Sequence, residues 1–186
     1  MGIALADAAA EYGAEVELVL GPVSKLPENK TVKIIDVISA ESMASECIAR
    51  FPGCDIAILA AAVADFSPMR IESKKMKRES GNLVLRLKPT KDIAETLGKM
   101  KRETQLLAGF ALETHDEIAN AKAKLVRKNL DIIIMNSMQD KGAGFAFDTN
   151  RITIIDRNNN IDKFELKTKK EAARDILGKI VTMLKS

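Results

Sequence analysis

The chain has 186 residues, of which 46% are hydrophobic and 30% are charged. This length and composition predict one domain with a substantial apolar core and exclude wholesale disorder. No apolar run approaches the roughly 18 residues that a membrane-spanning helix needs, and the charged, alanine-rich start is unlike a signal peptide. Two cysteines and one histidine predict neither a disulfide framework nor a zinc site. We therefore expect a cytoplasmic protein that does not contact a membrane.

The net charge of +3 is too small to indicate a nucleic-acid partner. The charge is unevenly distributed, because the segment from Arg70 to Lys91 contains eight basic and two acidic residues. That segment carries +6 and the rest of the chain carries −3. A local basic excess of this kind indicates either a binding site for an anion or a solvated loop.

The predicted elements alternate between helices and strands along the chain. Helices are predicted at 3–12, 42–50, 92–101, 116–128 and 170–184, and strands at 16–20, 32–37, 55–63, 83–87, 106–111, 130–135, 151–155 and 163–166. Gly13 is the expected C-cap of the first helix. The run Asn158–Asn160 is the expected turn between the last two strands.

The strand predicted at 55–63 is a continuous apolar run, which is typical of a strand covered on both faces of a parallel sheet. We therefore predict an α/β fold: a doubly wound, mostly parallel, Rossmann-like sheet with an antiparallel C-terminal hairpin at 151–166. Ligands in such folds bind at the carboxyl ends of the strands. The candidate positions are Ala64–Phe66, Gly109 with Phe110, and Asn136 onward.

Three groups of polar side chains near these strand ends each have two interpretations. Asp65 is placed either to hold Mg²⁺ or a ligand hydroxyl, or to cap the next turn. The run Lys74–Arg78 either closes over a triphosphate or is a solvated loop. Lys124 and Lys128 lie beside the apolar stripe of their helix, so they either reach a ligand at the sheet edge or extend from the core into solvent.

Nucleophilic catalysis is not indicated. Neither Cys47 nor Cys54 has a nearby general base to activate it, and we assign no catalytic role to His115. The segment Gly142–Gly144 is either a phosphate-binding turn or a flexible loop. The sequence contains neither a G-x-G-x-x-G motif nor a P-loop.

Six short motifs occur in a specific order. They are GPV at 21–23, AAAVADF at 60–66, KKMKR at 74–78, KPTKDI at 88–93, GFALET at 109–114 and KLVRKNLDIIIMN at 124–136. In this order and spacing they resemble the phosphopantothenoylcysteine synthetase family, whose members are CTP-dependent ligases of coenzyme A biosynthesis. The resemblance covers nearly the whole chain and implies one synthetase domain over residues 1–186.

The resemblance also implies a reaction and its ligands. In the family, the carboxylate of 4′-phosphopantothenate attacks the α-phosphate of CTP, which yields an acyl-cytidylate and pyrophosphate. The amine of L-cysteine then displaces CMP and forms the amide. The implied ligands are CTP and Mg²⁺, without a flavin in this domain. The implied assembly is a homodimer, and the family often carries a flavin-containing decarboxylase domain before this one.

Site residues follow from the resemblance at positions that match its motifs. Asp65 is implied to contact the nucleotide and Lys75 its phosphates, both as catalytic residues. The other implied nucleotide-binding residues are Leu59, Ala60, Ala61, Lys91, Asp92, Ile93, Ala94, Phe110, Lys124 and Lys128. Lys91 and Ala94 stand where the family usually has proline and valine. No protein ligand for a metal ion is implied.

The chain departs from the family pattern at its start. Family members begin this domain with a strand and a glycine-rich segment, and Met1-Gly2 matches the end of that segment. We therefore predict a gap in the sheet between the strands at 16–20 and 55–63, because the absent strand would lie between them. The main alternative to an active ligase is a catalytically incomplete binding or dimerisation fragment. An NAD(P)-dependent oxidoreductase on the same fold is a further alternative, disfavoured by the absent glycine turn.

Overall fold

The helices and strands alternate as the sequence predicts. The computed structural model describes residues 1–70, 74, 82–113, 115–137 and 148–185. Within these ranges the helices are α1 (Gly2–Glu11), α2 (Ala40–Arg50), α3 (Ile93–Met100), α4 (Glu117–Arg127) and α5 (Lys169–Leu184). The strands are β1 (Glu17–Leu20), β2 (Lys33–Asp36), β3 (Ile56–Leu59), β4 (Phe66–Pro68), β5 (Leu87–Pro89), β6 (Leu106–Glu113), β7 (Ile132–Ser137), β8 (Thr149–Asn150), β9 (Ile152–Asp156), β10 (Ile161–Lys163) and β11 (Lys167–Thr168). No helix in the described ranges is long and apolar enough to cross a membrane.

Five strands form the central sheet, in the order β10-β9-β7-β6-β3. Strands β3, β6 and β7 run parallel, and β9 and β10 join them as an antiparallel hairpin at one edge. The mixed α/β fold and the C-terminal hairpin that the sequence predicts are confirmed. Because β3, β6 and β7 are parallel, their carboxyl ends meet at one edge of the sheet, where a ligand of this fold class binds.

Helices cover both faces of the central sheet. On one face, α1 and α5 pack over Ile132 and Ile134 of β7. On the other face, α2, α3 and α4 pack over Ile133 and Met135. This alternation follows from the two-residue period of a strand and explains why β7 is apolar throughout.

Capping side chains set where the helices begin. Ser39 accepts a hydrogen bond from the Ser42 amide at 3.1 Å, so α2 starts two residues before the predicted boundary. Thr168 and Glu171 form a reciprocal capping box that starts α5. Asp92 caps α3 by accepting a hydrogen bond from the Glu95 amide, which places a carboxylate at the start of that helix.

Strands β1 and β2 form a separate parallel pair. Among the described strands, none joins β1 to β3. The four residues of β3 are apolar, yet each is only partly buried. One edge of β3 thus has no strand neighbour within the part of the chain that the structure describes.

Three predicted strands have a boundary that is wrong by more than two residues. β3 ends at Leu59 instead of residue 63, because the chain leaves the sheet at its carboxyl edge. The run 83–87 is not a strand as a whole, since pairing with β4 fixes β5 at Leu87–Pro89. The last hairpin strand is β10 at Ile161–Lys163 instead of 163–166, because the connection from β9 takes only residues 157–160 whereas the predicted strands left residues 156–162 for it.

Candidate functional site

The segment that follows β3 is fastened to the segment that precedes α3. The Thr90 amide donates to the Asp65 carbonyl oxygen at 2.9 Å, and the Thr90 hydroxyl donates to the Ala64 carbonyl oxygen at 2.6 Å. The carboxyl end of β3 and the start of α3 therefore form one surface. The side chain of Asp65 is exposed on it.

An ion pair lies at the start of α3. The Asp92 carboxylate accepts a hydrogen bond from the Glu95 amide at 3.0 Å, and its second oxygen lies 2.9 Å from Lys128 Nζ. The side chain of Lys128 is 20% exposed, so its ammonium group is near solvent without being free in it. Burial alone would raise the pKa of Asp92, but the hydrogen bonds from Glu95 and Lys128 outweigh burial and lower it. Asp92 is therefore held as a carboxylate that faces a lysine.

The remaining positions of the Lys91–Ala94 motif have different environments. Lys91 is exposed and Ala94 is half-buried. Ile93 is 8% exposed and packs in the core between α3 and the central sheet. Its side chain is thus a core residue, and only its main chain remains available to a ligand.

Lys124 and Lys128 share one face of α4. Four residues separate them, and the Lys128 amide donates to the Lys124 carbonyl oxygen at 2.9 Å. Both side chains are half-buried. Helices α3 and α4 cover the same sheet face, and of these two lysines the structure shows Lys128 in contact with Asp92.

Other predicted residues lie on the opposite face of the central sheet. Ala60 and Phe110 pack against the α1–α5 side, whereas Leu59 packs against the α2–α4 side. A methyl group built on Gly2 would lie 3.7 Å from Ala60 Cβ, which shows how closely the start of α1 approaches this strand end. The predicted site therefore spans both faces at the carboxyl edge, and Ala61 lies exposed there.

Some predictions fall where the structure gives no description. Lys75 lies outside the described residues, and so does the segment 142–144. Within the basic run 74–78, only Lys74 is described, and it is exposed. The predicted phosphate contact of Lys75 stays a prediction.

Two polar contacts were missed by the sequence analysis. Thr90 bridges to the residues after β3, and the only sequence signal was its place two residues before the helix cap. Asn136, a predicted strand-end candidate, lies in β7 and accepts a hydrogen bond from the Asn150 carboxamide at 2.9 Å. Asn150 is 2% exposed, and nothing local in sequence marks it as a partner of Asn136.

The described residues contain no group of three His, Cys, Asp or Glu side chains that could hold a metal ion. A protein site with few ligands can bind a divalent cation together with its substrate. Mg²⁺ commonly binds in this way, through substrate phosphates and one or two carboxylates. Asp65 has the chemistry and the exposure for such a contact.

Comparison with known proteins identifies close relatives. The chain is 62% identical over 184 residues to a cysteine/cysteine sulfinic acid decarboxylase of an unidentified prokaryote, covering 99% of this chain and 51% of that protein. It is 40% identical over 185 residues to the coenzyme A biosynthesis bifunctional protein CoaBC of Bacillus subtilis (strain 168), covering 100% of this chain and 45% of that protein. The chain thus spans about half the length of these relatives.

A solved structure and a family model agree with these relatives. The crystal structure of the C-terminal domain of a coenzyme A biosynthesis bifunctional protein CoaBC matches with a TM-score of 0.83 and 36% identity, covering 99% of this chain and 82% of that one. The model of the DNA/pantothenate metabolism flavoprotein C-terminal domain matches residues 1–184. The resemblance that the sequence motifs indicated is therefore confirmed, and the chain belongs to the DNA/pantothenate metabolism flavoprotein C-terminal domain family.

Proposed function

We propose that this chain is a ligase domain of coenzyme A biosynthesis, which joins 4′-phosphopantothenate to L-cysteine through an acyl-cytidylate made from CTP. Family membership and the relatives named CoaBC support the ligase class. The main observation in support of a nucleotide site is the Asp92–Lys128 ion pair. The hydrogen bonds of Thr90 connect the segment before Asp92 to Asp65. Residues that are distant in sequence thus form one polar surface at the carboxyl edge.

The chemistry of nucleotidyl transfer suits such a surface. Negative charge develops on phosphoryl oxygens in the transition state, and fixed cations stabilise it without a covalent enzyme nucleophile. Lys124 and Lys128 supply fixed positive charge, and Lys75 adds a third cation in this proposal. Asp65 contacts the nucleotide, and a Mg²⁺ ion bound by the triphosphate would offset part of the phosphate charge. The small side chains of Ala60 and Ala61 let the nucleotide approach the main chain.

An activity assay tests this proposal. Purified protein is incubated with CTP, 4′-phosphopantothenate and L-cysteine, and release of pyrophosphate and formation of the amide product are measured. We expect both products in equal amounts, and we expect Lys128→Gln to reduce turnover at subsaturating CTP by about tenfold or more. Lys99→Gln is the matched control, because Lys99 lies on the surface of α3 and pairs with Glu95.

Two outcomes would contradict this proposal. If neither product forms although a separate binding titration shows that the protein binds CTP, the chain is the incomplete binding fragment. If Lys128→Gln and Lys99→Gln have equal activity, the site does not lie around Asp92.

Decarboxylation is the second candidate, favoured by the 62% identical relative with that name. This chain spans 51% of that protein, so the named activity belongs to a chain twice as long. Release of labelled CO₂ from carboxyl-labelled cysteine or cysteine sulfinic acid measures it directly. We expect no release above the rate without protein, and release at catalytic rates would replace the ligase proposal.

We also propose that the protein is a homodimer through the β4–β5 ribbon. The register pairs Phe66 with Pro89 and Pro68 with Leu87, so these four apolar side chains share one face of the ribbon. Phe66 is 60% exposed and Leu87 is 52% exposed. A two-stranded ribbon with an uncovered apolar face is marginal in water, and a second copy of the same ribbon would cover it.

Sedimentation equilibrium tests the dimer. We expect the mass of two chains for the unmodified protein and of one chain for Leu87→Glu. Leu26→Glu is the control, because Leu26 is 60% exposed and lies outside the ribbon. A monomeric unmodified protein, or a dimer that survives Leu87→Glu, would overturn this assignment.

A further inference from the structure

Gly98 on α3 lies against the main chain at the end of α4. A Cβ atom built on Gly98 would lie 2.0 Å from the Lys128 carbonyl oxygen and 2.9 Å from the Lys128 carbonyl carbon. Ordinary van der Waals contact begins at 3.4 Å, so even alanine would push the two backbones apart by more than 1 Å. Gly98 is buried, and no flexible side-chain end is available to absorb this displacement. The absence of a side chain at position 98 therefore sets the distance between α3 and Lys128.

Asn129 fixes the same contact from the other side. Its φ of 52° lies in the left-handed region, which turns the chain from α4 toward β7. Its carboxamide nitrogen donates to the Gly98 carbonyl oxygen at 2.7 Å. Arg157 in turn donates to the Asn129 carbonyl oxygen at 3.0 Å. The turn after α4 is thus tied to α3 by a directed hydrogen bond as well as by close packing.

Lys128 spans the length of α3 as a result. Its main chain contacts Gly98 near the end of the helix, and its ammonium group lies 2.9 Å from Asp92 at the start. Six residues of α-helix rise about 9 Å, which is more than an extended lysine side chain spans by itself, so the side chain and its 2.9 Å contact with Asp92 together cover that distance. A shift of more than 1 Å at Gly98 would therefore draw the ammonium group away from Asp92.

We infer that Gly98 and Asn129 are positioning residues for the nucleotide site and act through Lys128. This inference rests on the proposed function, because Lys128 is the residue that would contact the triphosphate. Neither Gly98 nor Asn129 touches the substrate in this arrangement. Their role is to place one ammonium group at the carboxyl edge of the sheet.

Binding of CTP to the intact protein tests the inference. Asn129→Gly keeps the left-handed backbone accessible and removes the hydrogen bond to Gly98 without adding atoms. We expect its dissociation constant for CTP to rise by about tenfold, with an unchanged circular dichroism spectrum. Gly98→Ala should have a larger effect. Gly178→Ala is the control, because a Cβ at Gly178 meets nothing within 4 Å, and we expect it to bind CTP normally.

A double-mutant cycle separates positioning from a general loss of structure. If Asn129 acts through Lys128, Asn129→Gly should weaken CTP binding less than twofold in a Lys128→Gln background. An equal loss in both backgrounds, or no loss in either, would overturn the inference. If Lys128→Gln alone leaves CTP binding unchanged, the proposed nucleotide site itself is wrong. Should Gly98→Ala fail to fold, Asn129→Gly carries the test alone.

Discussion

The central sheet and the β1–β2 pair are built from similar apolar strands, yet they are buried to different degrees. Ile132, Ile134 and Ile154 in the central sheet are fully buried. In β1, the apolar residues Leu18 and Val19 are only partly buried. The two strands differ in the number of strands that flank them. Among the described strands, β7 is hydrogen-bonded to a strand on each side, whereas β1 is hydrogen-bonded only to β2. Burial of a strand therefore depends on its position in the sheet more than on its own composition.

Charged residues show the same difference between the two regions. Lys101 Nζ lies 2.7 Å and 2.8 Å from the two carboxylate oxygens of Asp131, at the amino end of β7, and its side chain is 6% exposed. Burial lowers the pKa of Lys101, and the Asp131 carboxylate opposes that effect. Near β1, Glu17 pairs with Lys33 and Arg50 at 2.6 Å and 2.9 Å, with all three side chains substantially exposed.

The largest expected effect comes from breaking the buried ion pair. Asp131→Ala leaves the buried Lys101 without its carboxylate and the Leu107 amide without its acceptor. We expect a loss of about 3–5 kcal/mol in the free energy of unfolding, measured by urea denaturation. Glu17→Ala breaks the exposed pair of β1 and should leave the midpoint almost unchanged. Equal losses would contradict the contrast between the two regions.

Apolar truncations should give the next largest difference. Ile154→Ala removes a side chain that is 0% exposed, and we expect it to cost about 2–5 kcal/mol. Leu18→Ala removes a similar side chain from a half-buried position and should cost less than half as much. Both variants are measured by urea denaturation, and their free energies of unfolding are compared with the same dependence on urea concentration. A larger cost for Leu18→Ala would show that β1 is better packed in solution than this structure indicates.

A smaller effect is expected on the free energy of unfolding at acid pH. Burial alone would raise the pKa of Asp156, but hydrogen bonds from Asn160 and Lys179 outweigh it and lower the pKa. A carboxylate with a lowered pKa in the folded state adds stability above its unfolded pKa of about 3.9, and this stability is lost as the pH falls through the folded value. We expect Asn160→Ala to lose about 1.5 kcal/mol at pH 7 and to flatten the acid limb of the stability curve.

The hairpin offers a matched control for that variant. Asn158 donates to Asp156 through its main-chain amide at 2.9 Å, which Asn158→Ala retains. We expect Asn158→Ala to keep the acid limb of the unmodified protein. Identical curves for Asn160→Ala and the unmodified protein would show that the carboxamide does not set the pKa of Asp156.

Local signals were enough to predict most helices and the central strands. The predicted helix at 170–184 matches α5 to within one residue, because its capping box and its apolar stripe are both formed by residues close together in the sequence. The β4–β5 ribbon was not predicted, since its pairing joins residues about 20 positions apart and its apolar face is exposed. The alternation of apolar and polar residues predicts a strand only where one side of that strand is buried.

The candidate site was predictable only in part, for a related reason. Asp65, Asp92 and Lys128 belong to motifs that can be recognised along the chain. Their mutual arrangement depends on contacts between distant residues, such as Thr90 with Ala64 and Gly98 with Lys128. No local pattern encodes those contacts, because each depends on how close two elements pack.

The exchange of labelled pyrophosphate into CTP tests the central claim most directly, since it reports formation of the acyl-cytidylate alone. We expect exchange that requires 4′-phosphopantothenate, does not require cysteine, and falls by about tenfold or more in Lys128→Gln. Adding cysteine should then release CMP. Exchange that proceeds without 4′-phosphopantothenate, or none at all in a folded protein that binds CTP, would contradict the proposed ligase.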